Sequence, residues 1–204
     1  MKLIEDVNNK ERKHVLKNEY WAAQGVEVLR LPLPVGDYIL VTDKVEDVLK
    51  RKAARGIEPH KMDFIGTCKV AVDTKMDMTE IEGNITGRAH ERFRDECILA
   101  QNCGIKLYVL VETNEVKNLE GVAKWQNPRL RRWMRLHELH KQGKAMAYTI
   151  PSRPPVNGER LMKAMATMQE KYGVTFVFCT PLEAGQRVID ILTKGESQCL
   201  NMNN

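Results

Sequence analysis

Two short apolar stretches constrain the fold more than any other feature of the chain: the unbroken run 107–111 (LYVLV), and 174–179 (VTFVFC), where Thr175 is the one polar residue. Short runs without polar alternation suit strands buried on both faces, the situation of a central strand in a sheet covered by helices. Each is preceded by a helical pattern. Residues 88–102 form one, closed by Gly104, and the amphipathic stretch 160–171 the other. A last helix is expected over 182–193.

Upstream, residues 2–6 read as a short strand and 10–24 as a helix ended by Gly25. Residues 26–33 alternate as a half-buried strand does, 34–37 form a turn, and 38–41 resume extended structure. A charged helix over 44–55 closes at Gly56, and 69–74 is a strand with Val70 and Val72 on one face. Thr79 is placed to cap a short helix. This order predicts an α/β fold, a mixed central sheet flanked by helices. Segments 42–67 and 113–155 read as insertions into a single domain spanning 1–195, and the polar tail 196–204 is expected to be disordered.

The chain has 204 residues, 43% of them hydrophobic, enough for a proper core. No apolar run reaches the length of a membrane span and the first ten residues lack a secretory pattern, so a cytoplasmic or nucleoid-associated protein with no membrane partner is expected. Five cysteines without a CxxC pair argue against a disulfide framework or a cysteine zinc site; Cys97, Cys103 and Cys179 sit in apolar contexts suited to buried thiols. His137 and His140 have ligand spacing, but Arg131, Arg132 and Arg135 would repel a cation there, which favours solvated helix residues.

A net charge of +5 permits a nucleic-acid partner without requiring one. Its distribution says more. Arg129, Arg131, Arg132, Arg135, Lys141 and Lys144 crowd one short stretch around a helix, 128–142, whose apolar stripe is Leu130, Trp133, Met134 and Leu136. Lys50, Arg51, Lys52 and Arg55 form a second group. Trp125 and Trp133 could stack on bases, although core packing is the commoner fate of such residues.

Metal-assisted phosphodiester cleavage needs acidic oxygens that converge on one point, because hard cations such as Mg²⁺ take carboxylate and carbonyl ligands. Two segments meet that need. One is the turn ending in Gly36-Asp37-Tyr38; the other is the strand Val70-Ala71-Val72-Asp73-Thr74-Lys75. Strand alternation points Asp73 and Lys75 one way and turns Thr74 back toward the core with Val70 and Val72. This is the acid…acid-x-Lys arrangement of restriction-type nucleases. By itself the spacing more often marks a surface strand with a salt bridge.

The wider context resembles the nuclease domain of the XPF/Mus family of structure-specific endonucleases. Gly36-Asp37-Tyr38 matches the family's G-D-Y. Asp73-Thr74-Lys75 stands where it has E-R-K, with Thr79-Glu80 at its final acid, and Ile4-Glu5-Asp6-Val7-Asn8-Asn9 stands at its V-D-x-R-E. The helix and strand from Arg92 through Cys97 to Leu110-Val111-Glu112 follow at the family's spacing, and residues 173–184 resemble its last strand and helix. The departures are Asp73 for Glu, Thr74 for Arg, Thr79 for Asp, and Asn8-Asn9 for Arg-Glu. The family's helix–hairpin–helix pair has no counterpart after Thr193.

The resemblance implies a restriction-endonuclease-like fold and a Mg²⁺-dependent DNA endonuclease, with Mn²⁺ able to substitute, acting on branched or flapped DNA. Asp37, Asp73 and the Thr74 carbonyl would hold the metal, with Asp6 and Glu80 as further candidate ligands. Lys75 would orient the attacking water or stabilise the transition state. Arg92 would meet a phosphate, and Arg129, Arg131, Arg132 and Arg135 would track the DNA backbone. The family also pairs active with inactive chains, so a homodimer or partner subunit is expected. The alternative function is a catalytically weak or inactive DNA-binding subunit on the same fold.

Overall fold

A computed structural model describes residues 1–9, 14–144 and 150–201, with side chains of the last helix through Ser197. Six strands form one sheet: β1 (Lys2–Asp6), β2 (Glu27–Leu31), β3 (Tyr38–Leu40), β4 (Val70–Lys75), β5 (Lys106–Glu112) and β6 (Thr175–Cys179). Their order is β2-β1-β3-β4-β5-β6. β1 pairs parallel with β2, and β4, β5 and β6 pair parallel with one another, while β3 runs antiparallel to both its neighbours. The end of β1, the start of β3 and the ends of β4, β5 and β6 therefore share one edge of the sheet.

The helices that cover it are α1 (Val15–Ala23), α2 (Asp43–Ala53), α3 (Met78–Thr86), α4 (His90–Asn102), α5 (Pro128–Lys141), α6 (Gly158–Tyr172) and α7 (Ala184–Asn201). Strand alternation sorts the core into two layers. Ile4, Ile39, Ala71, Leu107, Val109 and Val111 face one way, against Val45 of α2, Ile81 of α3, Phe93 and Cys97 of α4, and Leu161 and Met165 of α6. Leu3, Tyr38, Val70, Val72 and Leu110 face the other, against Trp21 of α1 and Ala184, Val188 and Leu192 of α7. All six residues of β4 are buried, which places the acid-x-Lys strand in the middle of the sheet and rules out a surface strand.

Several expectations change. The two segments read as insertions pack on the core: 42–67 contributes Val45, Val48 and Phe64, and 113–155 contributes Val116, Val122 and Trp125. Trp125 is thus a packing residue. The chain beyond Gly195, expected to be disordered, continues α7 to Asn201. The buried Glu196 explains why: its Oε1 accepts the backbone amides of Lys69 (2.7 Å) and Val70 (3.0 Å), capping the start of β4. Asp77, rather than Thr79, caps α3, accepting the Glu80 amide. On α5 no residue is buried, and Met134, expected on the inward stripe, is exposed. The first residues expected in the opening helix, 10–13, and the end of the tail, 202–204, lie outside the described residues. Among the described residues no helix is long and apolar enough to cross a membrane.

Candidate active site

The shared edge of the sheet opens into a cavity of about 390 Å³. Asp6 at the end of β1 and Asn8 and Asn9 in the loop after it line the cavity, and His14 stands just ahead of α1. Gly36 and Asp37 enter from the turn before β3, Asp73 to Met76 from the end of β4, Glu80 from α3, and Arg92 and Glu96 from α4. Every candidate metal ligand named from the sequence, together with Lys75 and Arg92, therefore faces one space. Arg129, Arg131, Arg132 and Arg135 do not line it.

The turn is built to aim Asp37. Gly36 adopts φ +70°, and a Cβ there would stand 3.1 Å from the Val72 carbonyl and 3.2 Å from the Ala71 side chain, so glycine is required for both reasons. The Asp37 amide donates to the Val72 carbonyl (2.8 Å), and the Asp6 amide donates to the Asp37 carbonyl (2.8 Å). Asp37 Oδ2 accepts two bonds from Thr74, from its amide (2.8 Å) and its hydroxyl (2.6 Å). Thr74, expected to turn its side chain away and offer only a carbonyl, instead orients a candidate ligand.

Lys75 Nζ donates to Asp73 Oδ1 (2.8 Å) and sits 5.4 Å from the centre of the Phe93 ring. Asp73 Oδ2 lies 2.6 Å from the same nitrogen yet is buried without a hydrogen bond of its own. The two outer acids are more committed. Asp6 accepts from the Leu33 amide (3.1 Å) and from Asn8 Nδ2 (3.1 Å), tying the loop after β1. Glu80 Oε2 accepts from the Met76 amide (2.9 Å), closing the turn that follows Lys75.

One further acid lies outside every motif read from the sequence. Glu96 Oε1 accepts the Gly36 amide at 2.9 Å. The signal available is its position four residues after Arg92, on one face of a helix, but nothing in the sequence shows that this face meets the Gly36 turn.

Among the described residues that line the space, acidic side chains outnumber basic ones. Burial, then the neighbouring Asp37, pushes the Asp73 carboxyl up to about 6 despite Lys75. Burial likewise raises Asp37, against the pull of Lys75 and the Thr74 bonds. Burial and then Asp73 raise Glu96. On Lys75, burial opposes the charge, but Asp73, Asp37 and Glu96 together outweigh it and hold the ammonium above its ordinary range. Lys75 thus acts on all three carboxylates, and Arg92 acts on Glu96 as well.

These donors fit a hard divalent cation. Among the described residues no three His, Cys, Asp or Glu side chains form a ready cage. The available set is Asp37, Asp73 and the Thr74 carbonyl. Mg²⁺ commonly takes one or two carboxylates and keeps waters or substrate phosphate in its other positions.

Outside the cavity, Arg129 Nη1 bonds Glu82 Oε2 of α3 at 2.7 Å, which anchors the base of α5. Arg131, Arg132 and Arg135 are exposed along the rest of that helix. Trp133 is half-buried, donating to the Pro151 carbonyl (2.7 Å) and stacking edgewise on His137.

No family model and no curated protein matches the sequence. Solved structures do match in three dimensions. XPF from Aeropyrum pernix in complex with DNA superposes with a TM-score of 0.51 at 15% identity, covering 97% of this chain and 66% of that one. A second structure of XPF from Aeropyrum pernix gives the same TM-score and identity, covering 100% of this chain and 69% of that one. The chain spans about two thirds of the length of these structures. At this identity the likeness establishes a common fold: a mixed six-stranded sheet with helices on both faces.

Proposed function

We propose that the chain is a divalent-cation-dependent nuclease that cleaves DNA, preferably at branches or flaps. The observation that carries this is the convergence of Asp37, Asp73 and Lys75 in one cavity at the sheet edge, where acidic side chains outnumber basic ones among the described residues. The Aeropyrum pernix protein of the same fold was solved with DNA, which supports DNA as the substrate class.

Asp37 and Asp73, with the Thr74 carbonyl, would hold Mg²⁺ or Mn²⁺. When bound, such an ion activates water and offsets the charge that builds on the phosphate. The chain supplies the rest. Thr74 fixes the direction of Asp37. Lys75 keeps its proton and presents a positive charge at the reacting phosphate, stabilising the transition state. Arg92 at the rim offers a guanidinium to a flanking phosphate. The exposed arginines of α5 follow the backbone away from the cut, giving affinity without reading sequence.

A second reading, a non-catalytic DNA-binding subunit, draws support from the absence of a three-carboxylate cage among the described residues. The two separate in one experiment. Flapped, splayed and plain duplex DNA are incubated with the chain in Mg²⁺, in Mn²⁺ and in EDTA, beside Asp73→Asn. The nuclease reading expects cation-dependent cleavage, fastest on flapped or splayed forms and lost in the variant. DNA binding without cleavage in either metal would leave only the subunit reading.

A further inference from the structure

The helix α4 touches the candidate site at three points of one face. Arg92 lines the cavity. Phe93 lies under the Lys75 ammonium, 5.4 Å from ring centre to nitrogen. Glu96 accepts the Gly36 amide at 2.9 Å. The last of these is the least expected. A carboxylate beside Asp37 and Asp73 costs free energy, since like charges raise one another's protonation, so its presence calls for a role.

The geometry points to Glu96 as a positioning residue for Asp37. Gly36 has positive φ and lies so near β4 that a Cβ there would crowd the Val72 carbonyl and Ala71, so the turn has little freedom on the sheet side. Its amide points the other way, toward α4, and Glu96 is the acceptor that meets it. Asp37 follows directly, with its own amide bonded to Val72 and its carboxylate bonded to Thr74. The turn is thus held from both sides, by β4 and by α4. Without the Glu96 acceptor the Gly36 amide faces the helix unpaired, and the turn can rotate to seek water. Such rotation would carry Asp37 out of register with Asp73. Outer partners that orient ligands in this way typically set metal affinity by about 10- to 100-fold. The inference rests on the nuclease reading, because it assigns Glu96 to a cation site.

The test separates the acceptor from the charge. Glu96→Gln keeps an acceptor oxygen and loses the charge, while Glu96→Ala loses both. Mn²⁺ affinity is read by the electron-spin-resonance signal of the free ion, with circular dichroism as the folding control. Positioning predicts that Glu96→Gln binds Mn²⁺ at least about tenfold more tightly than Glu96→Ala. Equal affinities in the two variants would overturn it, whether both match the unaltered chain or both fall below it. Should Glu96→Ala fail to fold, Glu96→Met, of similar length and without the acceptor, takes its place under the same criterion. Absence of Mn²⁺ binding by the unaltered chain would overturn both this inference and the nuclease reading. Mn²⁺ binding and DNA cleavage by the unaltered chain, with no difference between the variants, would overturn this inference alone.

Discussion

Asp37 receives two hydrogen bonds on one oxygen from one residue: the amide of Thr74 at 2.8 Å and its hydroxyl at 2.6 Å. The amide bond is fixed by the strand, but the hydroxyl bond depends on side-chain type. Thr74→Val keeps the shape and removes the hydroxyl. Mn²⁺ affinity should then fall by about tenfold or more, while Thr74→Ser should restore it. Isothermal titration of the three proteins decides the matter. Unchanged affinity in the valine variant would reduce the hydroxyl to a bystander.

The nuclease reading gives Lys75 two separable tasks, stabilising the folded cavity and stabilising the transition state. Lys75→Met should slow single-turnover cleavage by about a hundredfold or more while sparing DNA affinity. It should also lower stability at neutral pH by about 3 kcal/mol, because Asp73, buried without its partner, must take up a proton on folding or stay charged unpaired. Rapid-quench rates, gel-shift affinities and urea melts measure the three effects. A variant that loses only affinity would make Lys75 a phosphate ligand.

Cation binding should stabilise the fold in a pH-dependent manner. Asp73, Asp37 and Glu96 all titrate above their ordinary values of 3.8, 3.8 and 4.5. For a carboxylate raised on folding, the stability it contributes is fully present below the unfolded value and is lost as pH rises through the folded one. The metal-free protein should therefore weaken from about pH 4 upward, through the value of about 6 for Asp73. Mg²⁺ replaces the missing protons, so it should raise Tm more at about pH 8 than at about pH 5. Scanning fluorimetry in EDTA and in Mg²⁺ at both values tests this. An equal rise at both would detach the ion from these carboxylates.

The basic helix α5 makes a distinct prediction. Arg131, Arg132 and Arg135 are exposed, and no residue of α5 is buried, so replacing the three by Gln should leave the fold intact. For every phosphate that these arginines neutralise, the replacement should flatten the plot of log affinity against log salt by about 0.9 on duplex DNA. Arg129→Gln should act differently, loosening the base of the helix by removing the bond to Glu82. A triple variant with the original salt slope would show a solvated face.

The strands and most helices are legible in the sequence because hydrophobic period and helix-ending glycines are local signals. Asp37, Asp73 and Lys75 are legible because their spacing sits in a recognisable context. What escapes depends on partners far apart in the chain. Glu196 reads as part of a polar tail, yet it bonds the amides of Lys69 and Val70. Glu96 reads as an ordinary helical acid, yet its partner is Gly36. Alternation alone turns the Thr74 side chain toward the core, and alternation does not account for a short hydroxyl reaching a neighbouring strand. The α5 stripe follows from period, but period shows which residues share a face and not how deeply that face is covered.

The reversed strand β3 has a consequence for motion. Within the sheet it alone joins the β1–β2 pair to the β4–β5–β6 group, and its register with β4 is Tyr38 opposite Val72. Asp37 begins this narrow seam and Asp73 stands across it. Each transient parting of β3 from β4 therefore separates the two carboxylates, so the sheet's breathing and the site's integrity are one equilibrium. A cation that bridged them would act as a staple across the seam. Its occupancy is written into the rate at which the Asp37 amide, bonded to the Val72 carbonyl, exchanges its hydrogen with solvent.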